Sequence, residues 1–207
     1  MTLALLVVAS LAALAAASYR TAWRRAAARA ERDPLTGLLN RRGFDAAATI
    51  ELARAARYAR PLTLAYIDLD DFKRVNDTHG HAAGDRLLAV VAGALAAGRA
   101  CDVVARLGGD EFALLLPETD APAAALAIER MRQAAVAASA AAGHVVAFSC
   151  GVLTFHEPPA SLAVALAEVD RVLYARKRAR CRARTRCDPL ASTLRLTRRR
   201  PGQVYAA

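Results

Sequence analysis

The chain has 207 residues, enough for one ordinary domain with appendages and too few for two full domains. Hydrophobic content is 56%, but about a quarter of the chain is alanine, so a core must be drawn from Leu, Val, Ile and Phe, and a 23% charged content argues against a polytopic membrane protein. The formal net charge of +10 divides unevenly: residues 171–207 carry +11, residues 20–32 carry +4 and residues 33–170 carry −5, which removes the case for a nucleic-acid-binding core.

Residues 1–19 contain no charged side chain, and 3–17 is almost wholly apolar. As a helix, nineteen residues reach roughly 28 Å, just enough to span a hydrocarbon core. Five arginines follow between Arg20 and Arg32. A signal peptide and a membrane anchor compete for this pattern; Ala15-Ala16-Ala17-Ser18 suits cleavage, but no basic residue precedes Arg20. The anchor fits better, and it places the chain as a single-pass protein of the inner membrane with its remainder in the cytoplasm. Residues 20–32 read as a helical linker, ended by Asp33-Pro34.

Residues 33–180 read as one domain of mixed periodicity. A strand is predicted over 62–69 and a helix over 81–97. Two strands over 103–107 and 112–116, split by Gly108-Gly109, form a hairpin. A helix follows over 122–138, a strand over 144–155, and a helix over 161–180 capped by Ser161. Interleaved strands and helices with one tight hairpin predict an α/β fold: a mixed central β-sheet flanked by helices, holding at least one antiparallel pair. Residues 181–207 read as a basic, flexible tail, solvated or touching anionic lipid. Cys101 and Cys150 read as small core residues, and four cysteines without metal-type spacing fit a reducing compartment.

Two clusters carry candidate chemistry. In the first, Asp68, Asp70 and Asp71 crowd the end of an apolar strand, followed by Phe72, Lys73 and Arg74. Asp68 and Asp70 share a strand face, and like charges that close call for a cation. Hard oxygen ligands suit Mg²⁺, whose shell is commonly completed by substrate phosphates. The alternative is a solvated turn in which the acids cap the next helix. In the second cluster, Gly108-Gly109 sits at the hairpin tip, where absent side chains admit another molecule, and Asp110-Glu111 follow at once.

The string Arg106-Leu107-Gly108-Gly109-Asp110-Glu111-Phe112, taken with the first cluster, resembles the GGDEF family of diguanylate cyclases. Four further segments are similar to that family's motifs: 33–42, Gly80-His81-x-x-Gly84-Asp85, Ser149-Cys150-Gly151-Val152, and Asp170-x-x-Leu173-Tyr174-x-x-Lys177. The resemblance covers residues 33–180. It implies a fold like the catalytic palm of nucleotidyl cyclases and polymerases, and condensation of two GTP into cyclic di-GMP with release of pyrophosphate. It implies that Asp68, Asp110 and the Leu69 carbonyl hold Mg²⁺ or Mn²⁺, that Asp110 is the candidate base for the ribose 3′-hydroxyl, and that Glu111 supports metal or base. Asn76 and Asp85 would read guanine. Phe72, Lys73 and Lys177 would meet phosphates, and Gly108 and Gly109 would let the nucleotide approach. It further implies a homodimer for catalysis and an inhibitory product site at Arg99, Asp102 and Arg130.

The chain has only two lysines, Lys73 and Lys177, and both fall on phosphate positions. A compact ammonium suits a metal-crowded triphosphate. Two departures stand out. Asp71 replaces the family's usual aromatic or histidine before Phe72, and Arg180-Cys181-Arg182 stands where the family turns with Gly-Arg-Asn. A non-catalytic nucleotide-binding module of the same fold is the alternative reading, and no nucleic-acid partner is expected.

Overall fold

Among the described residues, helix α1 (Arg41–Tyr58) starts at Asn40, whose side chain accepts from the Gly43 N–H and so satisfies a donor that a helix start leaves unpaired. It was not foreseen from sequence. This computed structural model describes residues 30–187 and Leu14, with side chains described to residue 179. Strand β1 (Leu62–Asp70) follows, then α2 (Phe72–His79) and α3 (His81–Leu95). Next come the hairpin β2 (Val103–Gly108) and β3 (Glu111–Pro117), α4 (Ala121–Ala141), β4 (Ala147–Phe155) and α5 (Leu162–Cys187).

Among the described residues the sheet has four strands in the order β2-β3-β1-β4, and all three pairings are antiparallel. The mixed sheet expected from the sequence is thus corrected. Each helical crossover does join two parallel strands, β1 to β2 and β3 to β4. In both cases a third strand slots between them and takes the hydrogen bonds, the split arrangement of βαβ units. A lone parallel bridge from Leu39 to Ala105 lies outside the four strands.

Strand alternation divides the core into two layers. Ala65, Ile67, Leu69, Phe112, Leu114 and Leu116 face α3 and α4, where Leu87, Leu88, Val91, Leu95, Ile128 and Met131 meet them. Leu62, Leu64, Tyr66, Ala113 and Leu115 face α1 and α5 and pack with Phe44, Leu52, Val169 and Leu173. That parity also places Asp68 and Glu111 on the α1/α5 side, at the end where the hydrophobic strands stop.

Ser161 caps α5 as predicted, accepting from the Val164 N–H at 3.3 Å. The helix does not stop at 180 but runs to Cys187. Arg180-Cys181-Arg182 offers no glycine to take the left-handed turn that ends many helices, so helix continues into what reads as tail. Cys101 is exposed, not core: it lies in the turn between α3 and β2. Cys150 is half-buried, and burial pushes its thiol up to about 11. The membrane helix expected over 1–19, save Leu14, and the linker expected over 20–32 up to residue 29 lie outside the described residues, as does the tail beyond Cys187. Among the described residues no helix is long and apolar enough to cross a membrane.

Candidate functional site

β1 and β3 are the two central strands, and their paired ends carry the acids. Asp68 stands directly opposite Glu111 across the ladder. Asp110 precedes β3 at the hairpin tip, and its carbonyl accepts from the Leu69 N–H at 3.3 Å. Asp68, Leu69, Asp110 and Glu111 therefore meet in one place. Burial first, and the Asp68 charge second, raise the Asp110 carboxyl above its usual range; Lys177 and a backbone N–H pull the other way. Lys177 Nζ comes from α5 to 2.7 Å from Asp68 Oδ2.

The hairpin tip is held from outside the sheet. Gly108 and Gly109 take φ values of 154° and 50°, which side chains rarely adopt, and a Cβ on either would meet open space. Arg106 donates from Nε and Nη2 to the Gly109 carbonyl at 2.9 and 2.8 Å. Its Nη1 reaches Asp33 Oδ1 and Oδ2 at 3.1 and 3.2 Å. Burial works to raise the Asp33 carboxyl, but hydrogen bonds from Thr36 together with Arg106 outweigh it and hold the group below its ordinary range. Sequence reasoning gave Asp33 and Arg106 no individual role.

At the other side of the β1 end, Asp71 takes a left-handed φ of 59° and turns the chain sharply into α2. Phe72 is partly buried against the core, and Lys73 is exposed on the first turn of α2. Asn76 Oδ1 is buried and lacks a hydrogen-bond partner, a costly condition that a ligand donor would relieve. Gly84 brings α3 against α2 so closely that a Cβ there would collide with Asn76 Oδ1 and lie 3.1 Å from Phe72 Cζ. Asp85, the next residue, stands exposed. Asp70 accepts from Ser149 Oγ at 2.6 Å, tying β4 to the same corner.

Two residues that sequence reasoning missed lie behind Glu111. Tyr66 Oη donates to Glu111 Oε2 at 3.1 Å, and Arg41 Nη2 donates to Tyr66 Oη at 3.5 Å. Burial and then the Glu111 charge raise the Tyr66 phenol to about 12. The signal was present, since Tyr66 shares its strand face with Asp68, but it reads as one more apolar strand residue.

The residues expected to form a second site lie toward the far end of β3. A cavity of about 400 Å³ is lined by Arg99, Asp102, Arg130 and Met131 among others. Arg99 grips Asp102 with Nε at 3.0 Å and Nη2 at 2.7 Å. Its Nη2 also reaches Thr119 Oγ1 at 2.6 Å and the Pro117 carbonyl at 3.3 Å, at the end of β3. The three residues named for a product site therefore surround one cavity.

No group of three or more Asp, Glu, His or Cys side chains among the described residues is gathered to hold a metal alone. Two carboxylates and a carbonyl still fit Mg²⁺, which keeps waters and takes phosphate oxygens. The Lys177 ammonium is seated on Asp68, so the corner already holds one positive charge beside the Asp110 carboxyl.

Fold and site together define an α/β domain with an acidic corner at the end of its two central strands and a lysine closing on it. Residues 30–182 match the family described as "Diguanylate cyclase, GGDEF domain", and the chain belongs to the GGDEF-domain diguanylate cyclase family. Diguanylate cyclase DgcP of Pseudomonas aeruginosa is 42% identical over 152 residues, which are 71% of this chain and 22% of that protein. Cyclic di-GMP phosphodiesterase PdeB of Shewanella oneidensis is 42% identical over 107 residues, 50% of this chain and 12% of that protein. The chain thus spans less than a quarter of either relative. The solved coiled coil and GGDEF domain of DgcB from Caulobacter crescentus, in complex with c-di-GMP, has a TM-score of 0.72 at 28% identity and covers 84% of this chain and 95% of that one.

Proposed function

We propose that this chain is a diguanylate cyclase, joining two GTP into cyclic di-GMP with release of two pyrophosphates. The observation that carries the reading is the meeting of Asp68 and Asp110 at the ends of adjacent strands, with Lys177 closing on Asp68 at 2.7 Å. Each ribose 3′-oxygen attacks the other nucleotide's α-phosphorus, a P–O bond forms, and pyrophosphate leaves. Such a step needs in-line positioning and neutralisation of charge.

Asp68, Asp110 and the Leu69 carbonyl would hold Mg²⁺ or Mn²⁺, which supplies charge neutralisation at the phosphates and eases loss of the hydroxyl proton. Asp110, beside the reacting centre, would take that proton as it leaves the 3′-oxygen. Asn76 Oδ1 and Asp85 accept from guanine N1 and N2, donors that adenine lacks. Lys177 exchanges Asp68 for the terminal phosphates when nucleotide arrives, while Lys73 and the first turn of α2 meet the remaining phosphate charge. Each domain binds one GTP, so turnover requires two domains face to face.

The cavity around Arg99, Asp102 and Arg130 is the proposed inhibitory site for the product, since it offers guanidinium forks for phosphate and a carboxylate for guanine. The apolar stretch before the arginines supports attachment of residues 1–19 to the inner membrane, with the domain in the cytoplasm. The test is to incubate the full chain with GTP and Mg²⁺ and look for cyclic di-GMP and pyrophosphate. GTP binding without product would instead identify a non-catalytic nucleotide-binding module.

A further inference from the structure

The geometry points to Tyr66 as a positioning residue that acts through Glu111, an inference that rests on the cyclase reading above. Glu111 has a difficult place. It faces Asp68 directly across the β1/β3 ladder and follows Asp110 in sequence, so two like charges push its carboxylate away from the corner. Left to itself, a glutamate at a strand end swings between rotamers toward water. The Tyr66 hydroxyl opposes that by donating to Oε2 at 3.1 Å, which commits one carboxylate oxygen and fixes the direction of the other.

Tyr66 itself is well held. Its residue is only 8% exposed and its ring packs in the α1/α5 layer of the core, so its hydroxyl has little freedom. Arg41 Nη2, from the first turn of α1, donates to the same hydroxyl at 3.5 Å and directs its proton toward Glu111. A chain of donors therefore runs from α1 through β1 to the first residue of β3. The substitution that removes it, Tyr66→Phe, deletes one oxygen and leaves the ring in place.

The experiment compares wild type, Tyr66→Phe, Glu111→Ala and the double variant in the full chain. Two readouts are taken: steady-state cyclase kinetics, and Mn²⁺ affinity in the presence of a non-hydrolysable GTP analogue. Tyr66→Phe is expected to lower kcat and weaken Mn²⁺ binding by roughly tenfold, the loss of one hydrogen bond to a charged group, while KM for GTP stays within about twofold. In the Glu111→Ala background the same change should alter Mn²⁺ affinity no further, because its route is gone. Unchanged kcat and Mn²⁺ affinity in Tyr66→Phe would overturn the positioning role and leave the cyclase reading intact. Equal losses in both backgrounds would show that the hydroxyl acts by a route other than Glu111 and would overturn the positioning role. A wild type that binds nucleotide without making product would fail the cyclase reading, and the positioning role with it.

Discussion

Arg106→Met tests whether the hairpin tip is held by its clamp. The variant keeps most of the side chain's length but removes both hydrogen bonds to the Gly109 carbonyl and the bidentate contact with Asp33. The two side chains are 14% and 17% exposed, so the pair lies between the surface case and the buried one. Exposed pairs contribute about 0–1 kcal/mol and breaking a buried pair costs about 3–5, which places this loss at about 2–3 kcal/mol. The assay is urea unfolding at neutral pH and again in acid. The folded Asp33 carboxyl titrates below its unfolded value, so the stability it contributes is present above that unfolded value and is lost as the pH falls through the folded one. The gap between wild type and variant should therefore narrow below about pH 4. Part of the Asp33 effect survives in the variant, because Thr36 still donates. A gap under about 0.5 kcal/mol at neutral pH, or one that ignores pH, would refute the clamp as the restraint.

Asp110→Asn should abolish turnover yet raise the unfolding midpoint of the ligand-free chain at neutral pH. The raised pKa means that the charged form is disfavoured by folding, a cost present above the folded value and relieved in acid; a lowered midpoint would contradict this. Asp85→Ala should narrow the preference for GTP over ATP in competition binding, and unchanged selectivity would place guanine elsewhere. Arg99→Ala should remove cyclic di-GMP binding measured by calorimetry; binding that persists, or that GTP competes away, would move the product to the active site.

Strands β1, β2 and β3 were legible because their apolar runs are bounded abruptly by acids or glycine. Helix α1 was not. Its buried face is Gly43, Phe44, Ala48, Leu52 and Ala55, and small residues among arginines hide a helical stripe whose spacing is nonetheless regular. Helix α2 passed for a turn because the left-handed kink at Asp71 separates it from β1 and only eight residues follow before Gly80. Strand direction was legible within the β2/β3 hairpin and nowhere else, since a helical crossover is equally compatible with an adjacent parallel strand and with a third strand inserted between. The site residues carried by charge and glycine stood out. Tyr66 and Arg41 did not, because their parts depend on a cross-strand register that no local pattern states.

Strand β2 ends the hydrogen-bonded order, and such a margin invites strand addition by another chain. Here it is covered. The Arg106 N–H donates to the Leu39 carbonyl at 2.8 Å, and Leu39 bridges Ala105 beside it. A molecule that meets its own copy at high local concentration, as the proposed two-domain chemistry would require, is most exposed to unproductive pairing along such a margin. Covering it with the segment that leads into α1 removes one wrong way for two copies to join and leaves the acidic corner free for the right one.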